Sequence, residues 1–348
     1  MTTTGSPRKV ASDFLLRCWY QKSLGLWLLW PLSLLYQLLS GSRRYLYRAG
    51  LLSCWQAPLP LIVVGNITVG GTGKTPMVIA LVQALQQAGY RPGIVSRGYG
   101  SRAPHYPFLV TADKNPRHCG DEPLLIALRT GVPVVIDANR VAAAQYLIDN
   151  KLCDVIVSDD GLQHYALGRD IEIVMVDGQR GFGNQWLLPA GPLREPLSRL
   201  QHVDFIVSNG KPFSFDSLAS VHSMQLQPVC FYSLDNKRRV AVHEWQQSRQ
   251  VHAIAGIGNP NRFYHSLQQV GLSPIAHDFS DHHDYCADDL QFDDKLPLIM
   301  TEKDAVKVRH LAIPENSWYM PVDAELDGAF FEKILQRLTA IKLVAADG

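Results

Sequence analysis

Gly70, Gly71, Gly73, Lys74 and Thr75 stand together in Leu61-Ile-Val-Val-Gly-Asn-Ile-Thr-Val-Gly-Gly-Thr-Gly-Lys-Thr75. An apolar run, a glycine-rich loop and a helix start follow one another there. Glycines let a backbone approach phosphate closely and turn its N–H groups inward. The Lys74 ammonium suits the β- and γ-phosphates of a nucleotide, and the Thr75 hydroxyl suits Mg2+. The strict pattern G-x-x-x-x-G-K-[ST] asks for glycine at position 68, where this chain has Thr68. The tight turn then falls to Gly70 and Gly71. The expected phosphate-binding residues are Thr68, Val69, Gly70, Gly71, Thr72, Gly73, Lys74 and Thr75.

A phosphate loop of this kind needs an acid at the end of a neighbouring strand. Asp154-Val-Ile-Val-Ser-Asp-Asp-Gly161 supplies one: an apolar run ends in Asp159 and Asp160. Carboxylates placed there hold Mg2+ directly or through water, opposite Thr75. An Asp-Gly turn alone would give similar text; the phosphate loop beside it favours the metal reading. The guanine-type stretch N-K-x-D is not completed by Asn236-Lys237-Arg238-Arg239. ATP is therefore the expected nucleotide.

Phosphoryl transfer also needs a base for the acceptor and cations for its charge. Asp121, in Gly120-Asp-Glu-Pro123, opens an expected helix, where the positive end of the helix dipole favours a carboxylate. On the residues alone the helix-cap reading is the preferred one. The cluster Asp281-His282-His283-Asp284-Tyr285 reads as a solvated loop, a metal site or the partner of a base, and no further Cys/His pattern completes a metal cage. Arg97, Arg140, Gln163, His164 and Arg194 each follow a strand or sit in a Pro/Gly-rich turn. They are the candidate substrate contacts. Gly256-Ile-Gly-Asn-Pro260 lacks the third glycine of a dinucleotide fingerprint and reads as helix-start chemistry or a contact on closure.

The elements that must position these residues follow from periodicity. Strands are expected at 61–64, 93–96, 132–136, 154–157, 171–176 and 205–207. Helices are expected at 74–88, 121–128 and 138–148. Alternation of this kind predicts an α/β fold, a P-loop NTPase-like parallel sheet sandwiched by helices. Ligands bind such sheets at the carboxyl ends of strands. Gly, Pro, Ser and Lys accumulate at 210–217 and suggest a boundary. Beyond it come β-like stretches at 224–227 and 229–232, strands at 251–255 and 298–300, and helices at 260–270 and 328–338. These predict a second, smaller α/β domain. The expected division is 1–50, a membrane-associated helical segment; 51–215, the nucleotide domain; and 216–348, a domain closing the cleft.

The first segment is an uncharged run from Ser23 to Ser42, rich in Leu and Trp, with Arg17 and Lys22 before it and Arg43, Arg44 and Arg48 after it. About twenty such residues could just span a bilayer, but Gly25, Pro31, Ser33 and Gln37 dilute the run. Pro31 is expected to kink a helix at its middle. Basic flanks and aromatic rings suit a helix lying in one leaflet; a buried helix packing on the protein is the plainer alternative. The chain has 348 residues and a formal net charge of +1, without a basic stripe, so no nucleic-acid partner is indicated. Its six scattered cysteines form no C-x-x-C pair and are expected to be reduced thiols.

Together the segments GNITVGGTGKTP, SRGYG, GDEP, SDDGLQH, LLPAGPLREP, GIGNPNRF, the DHH cluster and TEKD span nearly the whole chain. In that order they resemble the tetraacyldisaccharide 4′-kinases, the lipid A 4′-kinases of Gram-negative bacteria. The resemblance implies ATP and Mg2+ as cofactors and an acylated glucosamine disaccharide 1-phosphate, a lipid A precursor, as acceptor. It implies work at the cytoplasmic face of the inner membrane, as a peripheral or monotopic enzyme, with no protein partner. It carries an Asp–His dyad onto Asp121 and His282, with His283 adjacent. It attaches no role to Glu302-Lys303-Asp304. The alternatives are a membrane-associated regulatory or chaperone-type P-loop NTPase and a docking adaptor with a vestigial loop.

Overall fold

Runs of Val and Ile without polar interruption suit strands covered on both faces. The computed structural model describes residues 15–21, 23–212, 220–281 and 283–347, and it places such runs at the centre of two sheets. The strands of the first half are β1 (Leu61–Gly65), β2 (Pro92–Ser96), β3 (Phe108–Val110), β4 (Val134–Ile136), β5 (Val155–Asp159), β6 (Ile171–Asp177), β7 (Phe205–Asn209) and β8 (Ser220–Pro228). Those of the second half are β9 (Cys230–Ser233), β10 (Arg239–Ala241), β11 (Gln250–Ala255), β12 (Ser273–Asp278), β13 (Leu298–Thr301), β14 (Ser317–Met320) and β15 (Val322–Leu326). The larger sheet runs β15-β8-β7-β6-β1-β5-β2-β4-β3, and the smaller β10-β9-β14-β13-β11-β12.

From β8 to β4 the larger sheet is parallel; β15 and β3 close its edges antiparallel. Period two divides its side chains between two cores. Ile62 and Val64 of β1 face the core under the helices Lys74–Gln87, Asp121–Thr130 and Gly328–Asp347, while Leu61 and Val63 face the core beneath Arg140–Asp149. The register aligns the strand ends: Val64 pairs with Asp159 of β5 and with Ile173 of β6. The residues after β6, β1, β5 and β2 therefore emerge side by side.

Sheet membership does not follow sequence order past position 215. β8 joins the larger sheet, the chain builds the smaller sheet, and β15 then returns to pair with β8. The helix Gly328–Asp347 packs on the larger sheet through Phe330, Ile334 and Leu338. The smaller unit is thus an insertion, tied at both ends to the sheet that carries the phosphate loop. Its own core gathers Phe231, Val251, Phe263, Leu267 and Trp318.

The N-terminal segment forms a 3-10 turn, Leu24–Leu29, and the helix Trp30–Arg48. The kink expected from Pro31 does not occur there. Pro31 lies in the first turn of the helix, where a missing N–H breaks no bond. The helix docks by its polar side: Ser33 Oγ donates to Leu187 O at 2.9 Å and accepts from Ala190 N at 3.0 Å, and Tyr36 OH donates to Arg194 O at 3.0 Å. Its Leu residues point away, with Leu38 65% and Leu39 62% exposed, as does Leu28 of the 3-10 turn. Among the described residues no single helix is long and apolar enough to cross a membrane.

Phe330 is wholly buried, with its ring 5.5 Å from Phe205 and 5.1 Å from His222. Phe330→Ala should destabilise the larger unit by about 3–5 kcal/mol, although it lies beyond the smaller unit in sequence. Urea unfolding followed by tryptophan fluorescence measures this; an unchanged midpoint would contradict the returning topology.

Candidate active site

β1 ends at Gly65, and the loop that follows delivers Lys74 to the first position of the helix Lys74–Gln87. Gly70 and Gly73 hold φ of +107° and +87°, conformations that side chains resist. A Cβ on Gly73 would lie 2.2 Å from Asn209 Nδ2, whose amide braces Thr72 O at 3.1 Å. The buried Asn66 braces the loop from within: its Nδ2 donates to Thr68 O at 2.8 Å, and its Oδ1 accepts from Lys74 Nζ at 3.3 Å. Val69 N donates to Pro192 O at 2.8 Å, so the loop also leans on the Pro/Gly-rich turn that carries Arg194. Arg180 Nη2 donates to Gly71 O at 2.5 Å. The result is a rigid cradle at a helix N-terminus, where N–H groups and the helix dipole favour an anion.

The acids stand beside it. Asp160 takes a left-handed φ of +50° and lies 3.4 Å from Lys74 Nζ and 3.4 Å from Arg194 Nη1. Burial opposes its charge, but Lys74 and Arg194 hold its carboxyl below the usual range. Asp159 is its opposite. It is buried, Ser96 Oγ donates to its Oδ2 at 3.2 Å, and its Oδ1 has no partner. Burial first, then Glu122 and Asp160, push its carboxyl up to about 7. A buried carboxylate oxygen without a donor, next to a hydroxyl helix start, fits a divalent cation. Mg2+ takes one or two carboxylates and leaves its other positions to water and phosphate.

Asp121 is the first residue of the helix Asp121–Thr130; its cap is Gly120, which makes no side-chain bond. Asp121 is therefore no cap. It is buried, its Oδ1 accepts from Glu122 N at 3.0 Å, and its Oδ2 lies 3.6 Å from Lys303 Nζ and 3.9 Å from Lys307 Nζ. Both lysines come from the smaller unit, on the helix Glu302–Val308. Other contacts join the units. Arg262 reaches Asp177 at 3.1 Å, Arg129 bridges Glu302 at 3.0 Å, and a Cβ on Gly258 would meet Gly71 N at 3.5 Å. The Gly256–Pro260 turn thus touches the phosphate loop.

A family model described as tetraacyldisaccharide-1-P 4′-kinase matches residues 25–339. The chain belongs to the tetraacyldisaccharide 4′-kinase family. The tetraacyldisaccharide 4′-kinase of Hahella chejuensis is 47% identical over 337 residues, covering 95% of this chain and 98% of that one. That of Actinobacillus succinogenes is 49% identical over 322 residues, covering 92% and 97%. A crystal structure of LpxK from Aquifex aeolicus in complex with ATP matches with a TM-score of 0.76 at 28% identity, over 91% of this chain and 99% of that one. The alternatives of a regulatory NTPase and of an adaptor fall with this membership.

In this 4′-kinase the candidate acceptor residues separate into groups. Arg194 joins the acid cluster through Asp160. Gln163 is committed to Asn66 O at 3.0 Å and Glu195 at 2.7 Å, so it fixes the loop. Arg140 is buried, with Nη1 on the carbonyls of Asp137 and Ala138 at 3.3 Å and Nε without a partner. Burial, then Arg140 and Arg169, push His164 down to about 4, which keeps it neutral at ordinary pH. Arg97 is exposed at the mouth. His282 lies outside the described residues. His283 bonds Asp289 at 3.0 Å and packs against Phe279 and Tyr285, within its own loop. Sequence reasoning missed Asn66, Asp177, Arg180, Arg262 and Lys303. Asn66 and Arg262 lay inside the quoted motifs GNIT and NRF, and Lys303 inside TEKD; Asp177 ends a buried strand just as Asp159 does.

The elevated Asp159 carboxyl makes a signed prediction. Below about pH 4 it is protonated folded and unfolded alike. As pH rises from about 4 to 7 the unfolded chain has lost a proton that the fold retains, so stability falls across that window and levels off above 7. In EDTA without nucleotide, Asp159→Asn should match the wild type at pH 4 and exceed it by about 2 kcal/mol or more at pH 8. Thermal unfolding at the two pH values reads the gap; equal stability at both would contradict the assignment.

Proposed function

We propose that the cleft between the two units transfers the γ-phosphoryl group of ATP to the 4′-hydroxyl of a tetraacylated glucosamine disaccharide 1-phosphate, yielding lipid IVA. One observation supports the residue assignment: Glu122, next to Asp121, acts on the buried Asp159, Asp160 lies 3.4 Å from Lys74, and Lys303 of the smaller unit lies 3.6 Å from Asp121. The phosphate loop, residues 68–75, binds the nucleotide by backbone N–H groups and the Lys74 charge. Arg180 and Arg262, both held on Asp177, stand where charge on the transferring group is offset. Asp159, Asp160 and the Thr75 hydroxyl are the residues that would hold Mg2+. Bound there, the ion neutralises phosphate charge.

Asp121 takes the proton of the acceptor hydroxyl as the new P–O bond forms and the bond to ADP breaks. Its position at a helix N-terminus favours the ionised form that a base needs. His282 orients it, in the role the family resemblance assigns. Arg97, Arg140 and Arg194 meet the anionic acceptor. Gln163 acts through the loop it braces at Asn66 O, and neutral His164 remains a contact for the acceptor.

The acceptor is a lipid, and the N-terminal helix accounts for its delivery. Leu28, Leu32, Leu35 and Leu39 share the exposed face, while Ser33 and Tyr36 dock the opposite one. Such a helix lies in the interface of a bilayer with its apolar side down. Arg43, Arg44 and Arg48 at its end suit the anionic lipid of a cytoplasmic leaflet. Because Tyr36 bonds the backbone of Arg194, the helix places the cleft at the membrane surface.

Lys74→Ala should lower kcat by about 10²-fold or more with the fold retained, since its charge faces the reacting phosphates. Asp121→Ala should lower kcat by about 10²-fold or more with the ATP KM little changed, and His283→Ala should be far milder. Transfer of label from γ-labelled ATP to the lipid measures all three. A near-normal Asp121→Ala enzyme would remove the base assignment.

Combining Leu32→Gln, Leu35→Gln and Leu39→Gln should release the protein from vesicles containing anionic lipid. Turnover of a detergent-solubilised acceptor should stay within about threefold. Sedimentation separates the cases: full retention with vesicles would place the anchor elsewhere.

A further inference from the structure

Lys303 occupies the first turn of the helix Glu302–Val308 in the smaller unit. Its ammonium lies 2.9 Å from Glu122, 3.1 Å from Asp281 and 3.6 Å from Asp121, and its side chain is 14% exposed. An ammonium has three donors and no acceptor. Two are spent on Glu122 and Asp281, and the third faces Asp121. Glu122 and Asp121 belong to the larger unit; Asp281 begins the loop that continues into His282. The neighbouring Glu302 is clamped by Arg129 at 3.0 Å, so the helix is fixed where Lys303 leaves it. Lys307, the other cation near Asp121, is committed to its own unit, at 2.8 Å from Asp304 and 3.3 Å from Gly256 O. Burial works against the Lys303 charge, but Glu122, Asp121 and Asp281 raise its basicity, so it stays protonated.

We infer that Lys303 is a positioning residue for phosphoryl transfer: it holds the Asp121 carboxylate against Glu122 and ties the loop that begins at Asp281 to that base. The inference rests on Asp121 being the base. Lys303 touches neither nucleotide nor acceptor in this scheme; it works through the two groups it joins. Its removal leaves Asp121 beside Glu122 on its own helix and Asp281 from the loop. Lys307 remains at 3.9 Å, and His282 follows Asp281 in the chain. Like charges close together favour the protonated acid, so the acidic limb of the rate profile should move to higher pH.

The test uses the full-length enzyme with ATP, Mg2+ and the tetraacyldisaccharide 1-phosphate in detergent. Lys303→Met should lower kcat about 10- to 100-fold, leave the ATP KM within about threefold, and move the acidic limb of kcat up by about one pH unit. Lys303→Arg should restore much of the rate, because it returns the charge. In an Asp121→Ala background, Lys303→Met should cost less than about threefold, since the two act as one unit. The same loss in both backgrounds, or a fallen kcat with an unmoved limb, overturns the inference while Asp121 keeps its role. A near-normal Asp121→Ala enzyme overturns the base assignment and the inference with it. Should Lys303→Met fail to fold, Asp281→Asn cuts the same tie from a half-exposed position. It should lower kcat about tenfold with the ATP KM held, and an unchanged kcat overturns the inference.

Discussion

Too many carboxylates share one cleft to coexist without arranged counter-charge, and the architecture follows from how that charge is supplied. Asp159 and Asp160 come from the end of β5, and Asp121 and Glu122 from the start of a helix packed on the same sheet. Lys74 and Arg194 answer Asp160. Lys303 answers Asp121 and Glu122, and it arrives from another unit. Among these four Asp159 alone makes no ion pair within 4.0 Å, and burial with its acidic neighbours pushes its carboxyl up to about 7 despite Lys74. Buried charge of one sign is costly unless it is paired or neutralised. The pairing therefore decides which carboxylate is spoken for and which is available. Asp160 is paired with Lys74 and Arg194, one oxygen of Asp159 has no partner, and Asp121 lies against Lys303 of the smaller unit.

That division of labour depends on strand order. β1 lies between β5 and β6, so the phosphate loop is flanked by the acid ends of both neighbours, Asp159 on one side and Asp177 on the other. Asp177 spends its charge on Arg180 and Arg262. It thereby converts an acidic strand end into a pair of oriented guanidinium groups beside the loop. A parallel sheet brings these ends to one edge without any long-range sequence signal. The returning strand β15 then serves a mechanical purpose. Because the smaller unit leaves from β8 and re-enters through β15, paired with each other, both of its tethers lie on one edge of the larger sheet. A unit anchored this way can present the helix Glu302–Val308 to the helix Asp121–Thr130 without a long linker.

Much of this was legible in the residues. The apolar runs at β1, β5, β6 and β7 carry enough Val and Ile to declare buried parallel strands, and the GKT loop and the Asp pair stand where such strands end. What stayed hidden was of two kinds. Short edge strands such as β10 and β12 mix polar residues with apolar ones, because only part of an edge strand is covered, so periodicity does not separate them from loop. The return of β15 was invisible for a different reason. Val322-Asp-Ala-Glu-Leu326 alternates as an edge strand should, but alternation says nothing about which sheet is joined. In the site, a lysine's role depends on partners 22 to 182 positions away in sequence, and TEKD gives no local hint of them. Pro31 misled through position: in mid-run it reads as a break, whereas the helix begins beside it.

The N-terminal helix joins these themes. An ordinary surface helix buries its apolar stripe and exposes its polar one; this one does the reverse, holding the body through Ser33 and Tyr36 and presenting leucines outward. A few hydrogen bonds of about 1 kcal/mol each would not by themselves hold an exposed apolar stripe against water. The arrangement makes physical sense where the stripe meets lipid, and there the polar attachments set geometry rather than stability. They fall on the turn that carries Leu187, Ala190 and Arg194, the same turn that braces Val69 of the phosphate loop. The docking of the N-terminal helix, the Arg194–Asp160 pair and the bracing of the phosphate loop thus meet on one short Pro/Gly-rich segment. A helix on the outside of the fold is thereby connected, through backbone hydrogen bonds, to the loop that carries Lys74.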